Sequence, residues 1–405
     1  MRSGAHGGTG AIARALRLKS DAASQVSNPP ALPFVDLKAQ YRRLQASIDA
    51  RLHKVLEHGQ FILGPEVVEL EQALAAFSGA REVVSVASGT EALRLPLMAE
   101  EIGPGDGVFM PGFTFTATAE VAVAQGAAPL FVDVEQATYN IDPAALEAAI
   151  AGVRREGHLR PRAVIAVDLF GLPADYARLN AICRREGLFL LADAAQSFGG
   201  ASGNARVGAL APVTATSFFP AKPLGCYGDG GAILTDDPAL AEVYRSIRMH
   251  GAGAGRYDIV RLGTNARLDT MQAAVLLAKL EVFEDELVAR ERVAANYDRL
   301  LDPRLVRPPR VHGSMSAWAQ YSILIDRRDQ VMAELAKQGI PTAIYYPKPL
   351  HLQPAFAHHG GGAGSLPVAE RLCGRILALP MHPYLDEPTI ARIARAVNGA
   401  VAQAG

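Results

Sequence analysis

The densest chemistry in this chain lies in one glycine-rich stretch, Ser217-Phe-Phe-Pro-Ala-Lys222-Pro-Leu-Gly-Cys-Tyr-Gly-Asp-Gly-Gly231, where a single lysine stands among apolar and small residues. Burying an ammonium is costly, so such a setting lowers the lysine pKa and enlarges the share of free amine that can add to an aldehyde. Lys222 is therefore a candidate to hold an aldehyde cofactor of the pyridoxal kind as a Schiff base. On this segment alone it also reads as a surface lysine in a tight loop.

Upstream, Leu190-Leu191-Ala192-Asp193-Ala194-Ala195-Gln196 sets a carboxylate at the carboxyl end of an apolar strand, where open α/β sheets bind ligands. Paired with a pyridine nitrogen, Asp193 would keep that nitrogen protonated and make the ring an electron sink, while Gln196 would donate to the ring oxygen. An aspartate after a strand is equally a helix N-cap. In Ala87-Ser88-Gly89-Thr90-Glu91-Ala92 the glycine permits close backbone approach and the following helix offers unpaired N–H groups, so Gly89 and Thr90 are candidate phosphate contacts. Ser217 at its strand end would add a hydroxyl, although both features also serve ordinary capping and strand-end bonding. In Pro111-Gly112-Phe113-Thr114-Phe115-Thr116 a flat ring beside a turn can stack on a flat cofactor, and Phe115 is the choice over Phe113; core packing is the other use of such rings.

These candidates must be carried by regular elements, and the sequence supplies them. Tyr41, Leu44, Ile48, Leu52, Val55 and Leu56 recur at helical spacing, and after a turn at 59–64, Pro65 opens a second helix with Val67, Val68, Leu70, Leu74 and Phe77 on one face. Short apolar runs at 108–110, 130–134, 163–167, 189–192 and 213–218 then alternate with helical stretches such as 175–185. That rhythm predicts a buried, mostly parallel sheet with helices on its faces. A helical region is expected over 268–300, ended by the Pro303, Pro308 and Pro309 cluster, which marks a domain junction. Beyond it a strand at 320–325, a helix at 329–338 and a glycine loop at 360–364 predict a smaller α+β unit.

At 405 residues the chain exceeds what one core usually supports, which agrees with two domains. A formal net charge of -1 lacks the broad positive field of a nucleic-acid binder. The three cysteines, Cys183, Cys226 and Cys373, are widely spaced and without CxxC pattern, so neither a disulfide framework nor a zinc site is expected and a reducing cytoplasm fits. Residues 1–33, rich in Gly, Ala, Ser and Arg, are expected to be a disordered leader. They hold no apolar core for secretion and no membrane span, while their arginine excess leaves a transit-peptide reading open.

Taken in order, SGTEAL, PGFTF, DAAQSFG, SFFPAKPLGCYGDGG and GTNARLD resemble the DegT/StrS-type sugar aminotransferases, pyridoxal-phosphate enzymes of fold type I, over Phe34 to the end. The resemblance implies an aspartate-aminotransferase-like α/β large domain over 34–300 and a small C-terminal α+β domain over 301–405. It also implies a homodimer with shared active sites in which Asn265 reaches the phosphate of the neighbouring subunit and Arg267 meets a substrate anion. By residue type alone, Asn265 serves as a helix cap and Arg267 as a surface ion-pair partner equally well. Relatives that replace the lysine with histidine act as dehydratases; this chain keeps Lys222, which favours transamination.

Within the family, FILGPEV, RLDTMQAA and LPMHPYLD resemble the enzymes that aminate UDP-2-acetamido-2-deoxy-3-oxo-glucuronate with L-glutamate as donor, for surface polysaccharide such as lipopolysaccharide O-antigen. Arg267 would then bind the glucuronate carboxylate as a fork. Ile344-Tyr345-Tyr346-Pro347 places tyrosine where those relatives tend to carry histidine, so Tyr345 and Tyr346 are expected at the sugar. A 4-keto sugar aminotransferase and a regulator that binds cofactor or sugar nucleotide without turnover are the competing functions.

Overall fold

The computed structural model describes residues 32–255 and 257–404. The expected leader falls, but for its last two residues, outside the described residues.

Asp36 caps α1 (Leu37–His58) by accepting from the Ala39 amide at 2.9 Å, and Gly59 in the left-handed region (φ 69°) ends it. Leu44 and Ile48 on its apolar face pack against Val275 and Ala278 of a later helix. Burial of one such aliphatic side chain is worth roughly 1.5–3 kcal/mol. Pro65, whose missing N–H is harmless at a first helical position, opens α2 (Pro65–Ser78).

The sheet follows from β1 (Glu82–Val86), β2 (Asp106–Pro111), β3 (Ala128–Val132), β4 (Arg160–Val167) and β5 (Phe189–Asp193). The helices between them are α3 (Gly89–Ala99), α4 (Ala117–Ala124), α5 (Pro143–Glu156) and α6 (Tyr176–Glu186). After the short β6 (Ala201–Ser202) and β7 (Ala205–Arg206), β8 (Val213–Ser217) and β9 (Gly231–Thr235) complete seven strands in the order β1-β9-β8-β5-β4-β2-β3. Only β9 runs against its neighbours, being antiparallel to both β8 and β1. Strands such as β2 and β9 are buried along their whole length, which is why their centres, Val108 to Met110 and Ala232 to Leu234, are apolar without alternation. The fold is thus the expected α/β architecture with a mostly parallel sheet.

Two features differ from the sequence reading. The runs that form β1 and β9 are passed over: Glu82 and Ser85 interrupt the apolar character of β1, and β9 follows directly on the glycine-rich Lys222 stretch. The helical region over 268–300 is two helices, α8 (Thr270–Leu280) and α9 (Phe283–Leu300), after α7 (Pro238–Arg248). The break sets Phe283 flat against Phe198, ring centroids 6.0 Å apart and planes 14° from parallel. Helix α9 then serves two cores: Phe283 and Leu287 belong to the cluster around α2 and β9, whereas Val293, Ala294 and Tyr297 belong to the C-terminal cluster. The latter is built on β11 (Tyr321–Leu324), paired antiparallel with β12 (Ile376–Leu379), and is preceded by β10 (Ser314–Met315). Helices α10 (Arg328–Lys337), α11 (Pro367–Arg375) and α12 (Glu387–Ala404) complete this end of the chain. All three cysteines are buried and unpaired. Among the described residues no helix is long and apolar enough to cross a membrane.

Candidate active site

Three neighbouring strands, β9, β8 and β5, deliver the key residues to one edge of the sheet. At β5 the last residue is Asp193, only 6% exposed. Its Oδ2 accepts from the Thr118 hydroxyl at 2.9 Å and its Oδ1 from the Ala195 amide at 3.2 Å. Burial pushes the carboxyl pKa up, while Thr118, Ala195 and the nearby Lys222 amine pull against that shift. Lys222 sits in the turn between β8 and β9, held by its own amide donating to the Phe219 carbonyl at 2.8 Å. Among the described residues its amine has no hydrogen-bond or ion-pair partner. Burial lowers its pKa, opposed by Asp193. The lysine and acid singled out from sequence thus influence one another across the site, and a lysine with depressed pKa is what addition to an aldehyde requires.

Gln196 lies one turn beyond Asp193. Its Oε1 accepts from the Phe170 amide at 2.7 Å and its Nε2 donates to the Tyr346 hydroxyl at 3.2 Å. Tyr346 in turn faces Phe115, ring centroids 6.2 Å apart. Phe115 is 55% exposed whereas Phe113 is fully buried, so Phe115 has a face to offer and Phe113 is core. Tyr345 is half-buried beside Tyr346, with ring centroids 5.9 Å apart.

The phosphate candidates meet at the start of α3. Ser88 caps the helix by accepting from the Glu91 amide at 3.1 Å, so Gly89 and Thr90 are its first residues. A Cβ on Gly89 would lie 2.6 Å from the Ser217 Cβ, and one on Gly231 would lie 2.5 Å from the Ser88 carbonyl oxygen. The helix N-terminus therefore abuts the end of β8, and only glycine fits there. Ser217 contributes its hydroxyl, which accepts from the Phe219 amide at 3.3 Å.

Asn265 and Arg267 flank Ala266, whose carbonyl accepts from the Ala87 amide at 3.0 Å, just before the capping serine. Asn265 is exposed, and no hydrogen bond joins its side chain to the other candidates. Arg267 is half-buried, and among the described residues its Nε is buried without a partner. An arginine so placed has donors to spare for an anion.

Residues the sequence reading passed over complete the site. Thr114 and Thr118 are 3.1 Å apart, oxygen to oxygen, behind Asp193. Asp168, fully buried at the end of β4, accepts from the Ser197 hydroxyl at 2.6 Å, the Tyr176 hydroxyl at 2.8 Å and the Ala174 amide at 2.8 Å. Its position after an apolar strand, matching that of Asp193 on the neighbouring strand, was a signal available in the sequence. Lys279 of α8, 1% exposed, donates to the Gly225 carbonyl at 2.5 Å in the Lys222 turn.

The residues present fit pyridoxal phosphate. An amine of lowered pKa, a buried carboxylate for a ring nitrogen, a glycine-lined helix N-terminus for a phosphate and an exposed aromatic face occur together.

Comparison with known proteins agrees. Over 368 residues the chain is 47% identical to UDP-2-acetamido-2-deoxy-3-oxo-D-glucuronate aminotransferase of Pseudomonas aeruginosa, covering 91% of this chain and 99% of that protein. A DegT DnrJ EryC1 StrS aminotransferase from Brucella abortus superposes with a TM-score of 0.90 at 52% identity, covering 91% of this chain and 99% of that one. NtdA from Bacillus subtilis, solved with bound cofactor PMP, superposes with a TM-score of 0.83 at 27% identity, covering 94% of this chain and 86% of that one. Residues 42–398 match the DegT/DnrJ/EryC1/StrS aminotransferase family, and with the geometry above this chain belongs to that family as an aminotransferase with pyridoxal phosphate as its cofactor.

Proposed function

We propose that the enzyme moves an amino group from L-glutamate to the 3-keto group of UDP-2-acetamido-2-deoxy-3-oxo-glucuronate. The observation that carries the transamination is the juxtaposition of Lys222, with its lowered pKa, and the buried Asp193 beside the Gly89–Ser217 cradle. The substrate reading rests on the 47% identity to the Pseudomonas enzyme and on Arg267, whose unpaired Nε suits a sugar carboxylate. In this reading Lys222 holds the cofactor aldehyde carbon, Asp193 the ring nitrogen and Gln196 the ring oxygen. Phe115 covers the ring face, and Gly89, Thr90 and Ser217 hold the phosphate together with Asn265 of the partner subunit. Tyr345 and Tyr346 line the sugar. The enzyme works as a homodimer in the cytoplasm, its large domain spanning 34–300 and its small one 301–405, and its product would feed surface-polysaccharide assembly.

When bound, pyridoxal phosphate supplies a sink for the electron pair left on a carbon that loses its proton. The chain does the rest. Asp193 as an anion holds a proton on the ring nitrogen. Lys222 Nζ would hold the cofactor aldehyde carbon and, once displaced by the amino donor, would be the base that takes the proton from the donor's α-carbon and the acid that gives it back, in either direction of the cycle. Between the halves the keto acid leaves, which makes the cycle ping-pong.

The test is spectral. Glutamate should bleach the visible band of the purified protein, and the 3-keto UDP-sugar should restore it while a 4-keto sugar nucleotide does not. Restoration by the 4-keto sugar alone would reassign the substrate, and no bleaching by any amino acid would favour a binding protein over an enzyme.

A further inference from the structure

Behind Asp193 two threonines form a chain that no role given above uses. Thr114, in the turn after β2, and Thr118, in the first turn of α4, are 3% and 0% exposed. A carboxylate only accepts, so the 2.9 Å contact of Thr118 to Asp193 Oδ2 uses the single hydroxyl proton of Thr118. The Thr118 oxygen is then left to accept, and the 3.1 Å contact with Thr114 must run from the Thr114 hydroxyl to Thr118. The direction is fixed: Thr114 to Thr118 to Asp193. A threonine in a helix commonly turns its hydroxyl back to the carbonyl four residues earlier. Thr118 instead reaches a residue 75 positions away in sequence, on another element.

We propose that Thr118, backed by Thr114, is a positioning residue that keeps Asp193 ionised and turned so that its free lone pairs meet the ring nitrogen of the bound cofactor. The proposal rests on the reading of Asp193 given above. The charged and titratable groups around this carboxylate are Lys222, Asp168, Tyr176 and Tyr346. Lys222 changes its charge as it exchanges protons, Tyr176 spends its hydroxyl proton on Asp168, and Asp168 and Tyr346 give no support to an anion. Two neutral donors, Thr118 and the Ala195 amide, are therefore the constant support for the charged form. Burial raises the Asp193 pKa and Thr118 opposes that rise, in agreement with this role.

The experiment loads the protein with cofactor carrying a 15N-labelled ring nitrogen and compares wild type with Thr118→Val, which keeps the shape and loses the hydroxyl, and Thr118→Ser, which keeps the hydroxyl. The ring-nitrogen signal of Thr118→Val should move toward the unprotonated position. Its kcat should fall about tenfold, as loss of one charge-assisted hydrogen bond gives, with KM for glutamate unchanged. Thr118→Ser should behave as wild type, and Thr114→Val should show a smaller shift in the same direction. If Thr118→Val does not load cofactor, Thr118→Ala against Thr118→Ser makes the same comparison, since that pair differs by one hydroxyl. A wild-type nitrogen signal in the hydroxyl-free variants overturns the proposal, as does a Thr118→Ser protein impaired equally. An unchanged signal in Asp193→Asn sinks instead the reading of Asp193 on which the proposal stands.

Discussion

Gly89 and Ser217 approach so closely that a Cβ added to the glycine would lie 2.6 Å from the serine Cβ. One is the first residue of α3 and the other the last of β8, so this contact sets the distance between the helix N-terminus and the strand end. Gly89→Ala must push them apart, at a cost of about 1–3 kcal/mol for an overfilled contact. We expect a folded protein with lowered thermal stability and cofactor affinity reduced tenfold or more on the order of one lost phosphate contact. Equilibrium dialysis against pyridoxal phosphate measures the affinity; wild-type affinity would show that the phosphate sits elsewhere.

Lys222→Ala removes an amine that has no partner among the described residues, so turnover should vanish while some cofactor remains bound without a covalent link. Borohydride treatment followed by peptide mass mapping should tag Lys222 in wild type and no residue in the variant. Asp193→Asn keeps the volume and removes the charge; it should lower kcat far more than cofactor content. Steady-state rates equal to wild type would remove the electron-sink role.

The fold and the line of the candidate site were legible because strand ends in an α/β sheet are where ligands bind, an address that Asp193 and Ser217 carry in local sequence, while Gly89 was marked by the helix start that follows it. What stayed hidden depended on distant partners. Gln196 meets Tyr346 across 150 positions and Thr118 meets Asp193 across 75, and no local pattern encodes either meeting. Threonine and lysine are ordinary residues of helical stretches, and nothing in the local sequence announces that Thr118 and Lys279 are buried, so neither carried a signal of its own. The split between α8 and α9 was equally silent, since neither Pro nor Gly marks it; the structure places Phe283 on Phe198 there.

Lys279 braces the turn that carries Lys222. Its ammonium donates to the Gly225 carbonyl at 2.5 Å and lies 4.2 Å from the centre of the Tyr227 ring, and burial lowers its pKa to about 8. Lys279→Met keeps the stem, removes the buried charge and leaves the Gly225 carbonyl without this donor. Since removing a buried charge offsets the lost bond, global stability should change by only about 1 kcal/mol. The turn should nevertheless loosen, and the borohydride-trapped fraction at Lys222 should drop roughly threefold to tenfold. Trapping equal to wild type would mean that the backbone holds the turn unaided.

Asp168 gives the fold a pH dependence of defined sign. Burial raises its carboxyl pKa to about 7, against the pull of Ser197, Ala174 and Tyr176. Its unfolded value is about 3.9, so between roughly pH 4 and pH 7 the folded chain binds more protons at this site than the unfolded one. Its contribution to stability is then fully present below pH 4 and is lost as pH rises through 7, by an amount on the order of a few kcal/mol. Asp168→Asn fixes the neutral form: its oxygen still accepts from Tyr176 and Ala174, and the Ser197 hydroxyl can rotate to accept from the new amide. Urea unfolding at a series of pH values should show wild type losing stability relative to Asp168→Asn as pH rises from 4 to 7, with a constant difference above. A difference independent of pH would place the Asp168 pKa at its ordinary value and make the carboxylate a charged member of the network throughout.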